Sequence, residues 1–165
     1  MATRVWRVGL AVLGLLLAQH VDAGLLDSPP PTFDGAQGQV IYRMGAIYYD
    51  PGRVDTMVTC TNLDTIQARL AIELFDERDN LIGTLAHADL PAGATVTFTT
   101  SADMSRQGWV VIPDLPAFDH GKARVSATTT KLSCSGYQRI RTAVGTFEEK
   151  ALELVKKVSR PTQRR

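Results

Sequence analysis

From Arg53 to Phe98 the chain alternates apolar and polar residues with a period of two, broken only by short turn signals. A chain patterned this way buries one face of each strand and wets the other. Val54, Thr56, Val58 and Cys60 share one face, and Asp55, Met57 and Thr59 the other. Asn62-Leu63-Asp64 reads as a turn. Gln67 to Phe75 alternates again, with Ala68, Leu70, Ile72 and Leu74 opposite Arg69 and Glu73. A helix competes there, because Ala, Leu, Glu and Arg are good helix formers. The clean alternation and the bracketing turns favour a strand. Asp76 to Asn80 is a polar turn, Leu81 to Leu85 a short return strand, and Pro91-Ala92-Gly93 a turn into Ala94 to Thr100.

The rest of the chain extends the pattern. Gly24 to Gln39, with three consecutive prolines at 29–31, reads as a partly flexible lead-in that Phe33 could anchor along a sheet. Val40 to Tyr49 is one long strand bent at Met44-Gly45, and Asp50-Pro51-Gly52 turns it back. Trp109 to Ile112 reads as a strand buried on both faces, and Asp114 to His120 as a loop. Lys122 to Gly136 is the longest strand pattern, with a break expected near Thr129 to Lys131, where its apolar parity shifts. About seven strands with short turns and no βαβ alternation predict an all-β antiparallel sandwich.

The run from Ala68 to Thr84 followed by Leu90 to Phe98 resembles bacterial exported immunoglobulin-like modules of the FxLYD or CARDB type. The matching residues are Phe75-Asp76, Leu81-Ile82-Gly83, Pro91 to Gly93, and Val96 with Phe98. The resemblance spans about a quarter of the chain. Asp79-Asn80 departs from the usual Gly-containing turn, and no Trp follows Cys60 at the antibody spacing. The resemblance implies an immunoglobulin-like fold, a binding, spacing or presenting role at the cell surface, and no catalytic residues.

Arg4 and Arg7, the apolar run Val8 to Ala18 and Val21-Asp22-Ala23 have the layout of a secretory signal cleaved before Gly24. An uncleaved signal anchor is the alternative. The expected organisation is residues 1–23 signal peptide, 24–39 lead-in, 40–138 β-sandwich and 139–165 a basic helix and tail. Export, to the periplasm or beyond, gives the two cysteines their meaning. Cys60 and Cys134 are expected to form a disulfide, with free buried thiols or a metal pair as the alternatives. A formal net charge of +1 argues against a nucleic-acid partner.

The charge is unevenly spread. Residues 24–138 hold 8 basic and 13 acidic side chains, whereas residues 139–165 hold 8 basic and 3 acidic. Thr146-Phe147-Glu148-Glu149 fits a helix capping box, and Phe147, Ala151, Leu154, Val155 and Val158 fall on one helical face. A C-terminal amphipathic helix over about Phe147 to Ser159 is therefore predicted, with Lys156 and Lys157 at its negative end and Pro161 as a stop. Such a helix packs on the sandwich or self-associates, lies on an anionic membrane surface, or docks in a partner groove.

Candidate chemistry is sparse. His87 and His120 have aspartates nearby in sequence but read as loop histidines rather than zinc ligands. Asp76, Glu77, Asp79 and Asn80 cluster oxygens as calcium sites do, yet lack the EF-hand spacing. No cofactor, metal or catalytic residue is expected. The expected function is a non-catalytic binding or structural module of the bacterial cell envelope, with an envelope component or another protein as partner. The alternative is a small secreted hydrolase or metal-dependent enzyme using His120 and Asp119.

Overall fold

The structure, a computed structural model, describes residues 28–101 and 109–157. The predicted signal peptide 1–23, residues 24–27, and the end of the chain from Val158 lie outside the described residues. Among the described residues there are twelve strands and no helix: β1 (Thr32–Phe33), β2 (Ala36–Gln37), β3 (Gln39–Tyr49), β4 (Val54–Asn62), β5 (Ala68–Phe75), β6 (Leu81–Leu90), β7 (Thr95–Thr99), β8 (Trp109–Val111), β9 (Phe118–Ala127), β10 (Leu132–Arg141), β11 (Phe147–Leu152) and β12 (Leu154–Lys156). No helix among those residues is long and apolar enough to cross a membrane.

Ten of these strands form two five-stranded sheets, ordered β12-β3-β9-β5-β6 and β11-β10-β4-β7-β8. The alternation seen in the sequence decides what lies between them. Ile47, Leu70, Ile72, Leu74 and Val125 from the first sheet meet Val58, Cys60, Phe98 and Leu132 from the second in one core. Tyr42 crosses from the first sheet to donate its hydroxyl to the Leu132 carbonyl of the second, at 2.8 Å. Asn62, fully buried, ties the β4–β5 turn to the end of β6, its amide nitrogen donating to Ile66 O and Leu90 O while its oxygen accepts from Asp64 N.

The bend expected at Met44-Gly45 is present, as a register shift between Met44 and Ile47 against β9. The break expected near Thr129 is larger than a bulge: β9 and β10 belong to different sheets, and the chain crosses the core between them. The lead-in is not simply extended. β1 and β2 form a hairpin around Asp34 and Gly35, both at positive φ, as a two-residue turn between twisted strands requires. Trp109 to Val111 is not buried on both faces. It is a half-buried edge strand, pairing in parallel with β7.

The C-terminal helix is absent. Phe147 to Leu152 turns back on β10 as an antiparallel strand, and Leu154 to Lys156 pairs with β3 in the other sheet. Thr146, expected as a helix cap, instead closes the hairpin, its carbonyl accepting from Thr142 N at 2.8 Å. The reason is tertiary: Ala, Leu, Glu and Lys carry a helix preference of a few tenths of a kcal/mol each, whereas two open sheet edges offer backbone partners to every other residue. Leu152 and Leu154 then both reach the core from either side of Glu153. The sandwich body consequently runs to Lys156 rather than ending at 138.

Candidate functional site

Cys60 and Cys134 occupy directly opposed positions on β4 and β10 and are bonded to each other, with 4.1 Å between their Cα atoms. The disulfide therefore joins neighbours within one sheet. In antibody-type domains the equivalent bond crosses between sheets.

The most elaborated polar surface lies on the outer side of the β3-β9-β5 sheet, beneath the lead-in. Arg124 on β9 and Glu73 on β5 are cross-strand partners, each flanked along its strand by core residues. Their side chains are only 1% and 11% exposed, so this is a buried ion pair. It is bidentate: Arg124 Nε donates to Glu73 Oε2, and Nη2 donates to Oε1 at 2.9 Å. The guanidinium also reaches the lead-in, donating from Nη1 to the Ser28 carbonyl at 2.7 Å and from Nη2 to Ser28 Oγ at 3.1 Å. Phe75 places its ring 5.2 Å from the same guanidinium. A buried charge is tolerated when every donor has an acceptor, and here the lead-in supplies acceptors that the sheet lacks.

Further along β5, at Arg69, the same face opens into a cleft of about 380 Å³ lined by Thr32, Phe33, Asp34, Arg69, His87, Ala88 and Asp89. Arg69 and Asp89 are cross-strand partners with Nε and Oδ1 3.1 Å apart, and Asp34 of the β1–β2 turn pairs with the other side of the guanidinium. The Asp34 hydrogen bond is the largest influence holding the Arg69 pKa above its usual value. The Arg69 backbone is tied to the neighbouring turn, its main-chain N–H donating to Thr128 Oγ1 at 3.0 Å. Across Arg69 a second cleft extends past Ile66 to Asp64, whose carboxyl lies below the usual aspartate range because Thr129, Thr65 and Lys131 all donate to it. The result is one groove along the lead-in, with a planar cation between two carboxylates.

The residues picked out in the sequence for a helix do not share one face. Phe147 lies at the sheet edge beneath Arg139, 4.2 Å from ring centre to guanidinium. Leu154 packs on the core and Val155 is exposed. Lys156 donates to the Leu132 carbonyl at 3.3 Å and sits over the Tyr42 ring, and the Lys157 N–H donates to Ile41 O. Val158 lies outside the described residues. Asp119 and His120 begin β9 rather than lying in a loop, and the Asp119 carboxylate is the chief cause of a raised Tyr48 phenol pKa. The Asp76 to Asn80 oxygens are occupied as a turn, Asp76 accepting from Arg78 N and Asn80 N and Asp79 pairing with Lys122 at 2.6 Å. Among the described residues no group of three His, Cys, Asp or Glu side chains could hold a metal ion.

Sequence reasoning missed Arg124 and Glu73. Each is a charge set between apolar neighbours in a strand, in Ala123-Arg124-Val125 and Ile72-Glu73-Leu74, which is also the pattern of a solvent-facing charge and so gave no separate signal.

No protein-family model and no curated protein matches the chain. Among solved structures it is similar to a Thermotoga maritima protein designated 1070, at 8% identity over 70% of this chain and 94% of that one, with a TM-score of 0.51. It is also similar to the Anabaena sensory rhodopsin transducer, at 13% identity over 59% of this chain and 93% of that one, with a TM-score of 0.41. At such identities the first likeness bears on the fold alone, and the second is too slight to bear on it.

Proposed function

We propose that the chain is an exported, immunoglobulin-like β-sandwich of the bacterial cell envelope that binds or holds a partner rather than transforming it. The observation that carries this reading is the Cys60–Cys134 disulfide, set between adjacent strands of one sheet. Disulfides persist in oxidising compartments and are rare in the cytosol. The two-layer, mostly antiparallel architecture supports the kinship with immunoglobulin-like modules, although β8 pairs in parallel with β7 and the disulfide stands within a sheet. The groove beside Arg69 is the surface best suited to a partner, because it is a part-exposed cleft in which polar groups, Asp34, Arg69 and Asp89, converge beside Phe33. The first residues supply the export signal.

Fractionating cells that express the whole chain, with thiol trapping at lysis, tests this. The expected result is a shortened, fully oxidised protein in the envelope or medium. A full-length protein with two alkylatable thiols in the cytosol overturns it.

A further inference from the structure

β11 ends its sheet with nothing paired on its outer side among the described residues, and Phe147 to Ala151 are all exposed. Edge strands of this kind are templates for further pairing unless blocked. Phe147, on this strand, is among the large apolar side chains left exposed. We propose that β11 pairs antiparallel with β11 of a second copy, joining two five-stranded sheets into one across a two-fold axis.

The register follows from the backbone. Thr142 N–H bonds to Thr146 O at the hairpin, and β10 pairs onward with Arg141 opposite Phe147. In an antiparallel ladder, hydrogen-bonded and non-bonded pairs alternate. Glu148, Lys150 and Leu152 therefore bond inward to β10, leaving the N–H and C=O groups of Phe147, Glu149 and Ala151 pointing outward. A two-fold axis perpendicular to the sheet keeps each side chain on its own face, so it pairs residues of like parity. Centring the axis on Glu149 puts Phe147 opposite Ala151 and Glu148 opposite Lys150 of the other copy, each twice. About six backbone hydrogen bonds form. The Glu148–Lys150 pairs fall at non-bonded positions, where opposed side chains come closest. The Glu149 carboxylates meet at the axis as a hydrogen-bonded pair, set farther apart, and each faces Arg139 of its own β10. Moving the axis to Lys150 opposes two lysines and loses both ion pairs. The charges on this strand therefore specify a second copy in a single register.

Sedimentation equilibrium of the mature chain at low salt tests this, with thermal melts confirming that each variant folds. Wild type is expected to be a concentration-dependent dimer. Glu148→Lys or Lys150→Glu alone turns two attractive pairs into two repulsive ones and weakens the dimer by about ten-fold or more, while the double variant E148K/K150E restores it to within about three-fold. Glu149→Thr tightens it. A monomer at every concentration, or a dimer equally weak in the single and double variants, overturns the proposal.

Discussion

Replacing Arg124 with Met isolates what the buried ion pair does. Methionine fills much of the same volume and can lie against Phe75, but it donates nothing. Glu73, at 11% exposure, is then a carboxylate with both cationic hydrogen bonds gone, and Ser28 loses the donor to its carbonyl. Removing one partner of a buried pair costs about 3–5 kcal/mol, because the remaining charge is stranded rather than because the pair itself was strongly favourable. Arg124→Met alone is therefore expected to lower unfolding free energy by about that much, and Glu73→Met alone by a similar amount. The double variant R124M/E73M strands no charge and is expected to lose about 1 kcal/mol or less from the sheet. The interaction energy in the cycle is then several kcal/mol, well beyond the scatter of additive sites. Urea unfolding at neutral pH gives all four stabilities, and limited proteolysis reads the lead-in separately. In every variant lacking Arg124 the segment around Ser28 should be cleaved faster, including the stable double variant. Additive single effects of under 1 kcal/mol, with unchanged cleavage, would refute the reasoning.

Three further outcomes can be checked. The Cys60–Cys134 bond closes a loop with a sequence separation of 74. On the chain-entropy account its removal in C60A/C134A costs about 4–5 kcal/mol, readable by chemical denaturation of the oxidised protein against the variant. Gly83 sits at φ 70°, and a Cβ there would lie 2.6 Å from Leu115 Cδ2 and 3.0 Å from the Pro113 carbonyl, so Gly83→Ala should destabilise by roughly 1–3 kcal/mol. Asp64 is held below the ordinary aspartate value of 3.8, so its contribution is present above that pH and is lost as pH falls through the lower folded value. Asp64→Asn should therefore flatten the acid limb of the stability–pH curve below about pH 4, and an unchanged limb would count against the Thr129 and Lys131 contacts.

Local chemistry was legible at several turns, though not at Asp34-Gly35, where the hairpin between β1 and β2 went unread. The Pro91-Ala92-Gly93 turn, the Asp76 turn and the bulge after Met44 depend on a few adjacent residues, and the structure has them where the sequence placed them. The Arg69 groove was not legible. It exists because Asp34, some thirty-five residues earlier, folds over a face assembled from β5 and β6. The Arg124–Glu73 pair was hidden for the same reason: each residue looks like an ordinary solvent-facing charge until the lead-in covers it.

By itself the sequence determined that the body is built of strands and, to within about a residue, the bounds of β3, β4, β5, β7 and β8, because a period of two is a property of the backbone and needs no partner. It also determined that two cysteines lay on core-facing strand positions. Only the tertiary structure decided where the strands went. Phe147 to Lys156 carries helix-forming residues in a helical spacing, and it forms two strands because without them β10 and β3 would each be left with an unpaired backbone edge. Hydrogen bonds to an open edge outweigh an intrinsic preference of a few tenths of a kcal/mol per residue. The period-two stretch around Cys60 fixed the pattern of the fold, while the choice of partner for each strand, including β10 and its Cys134, rested on contacts between residues far apart in the chain.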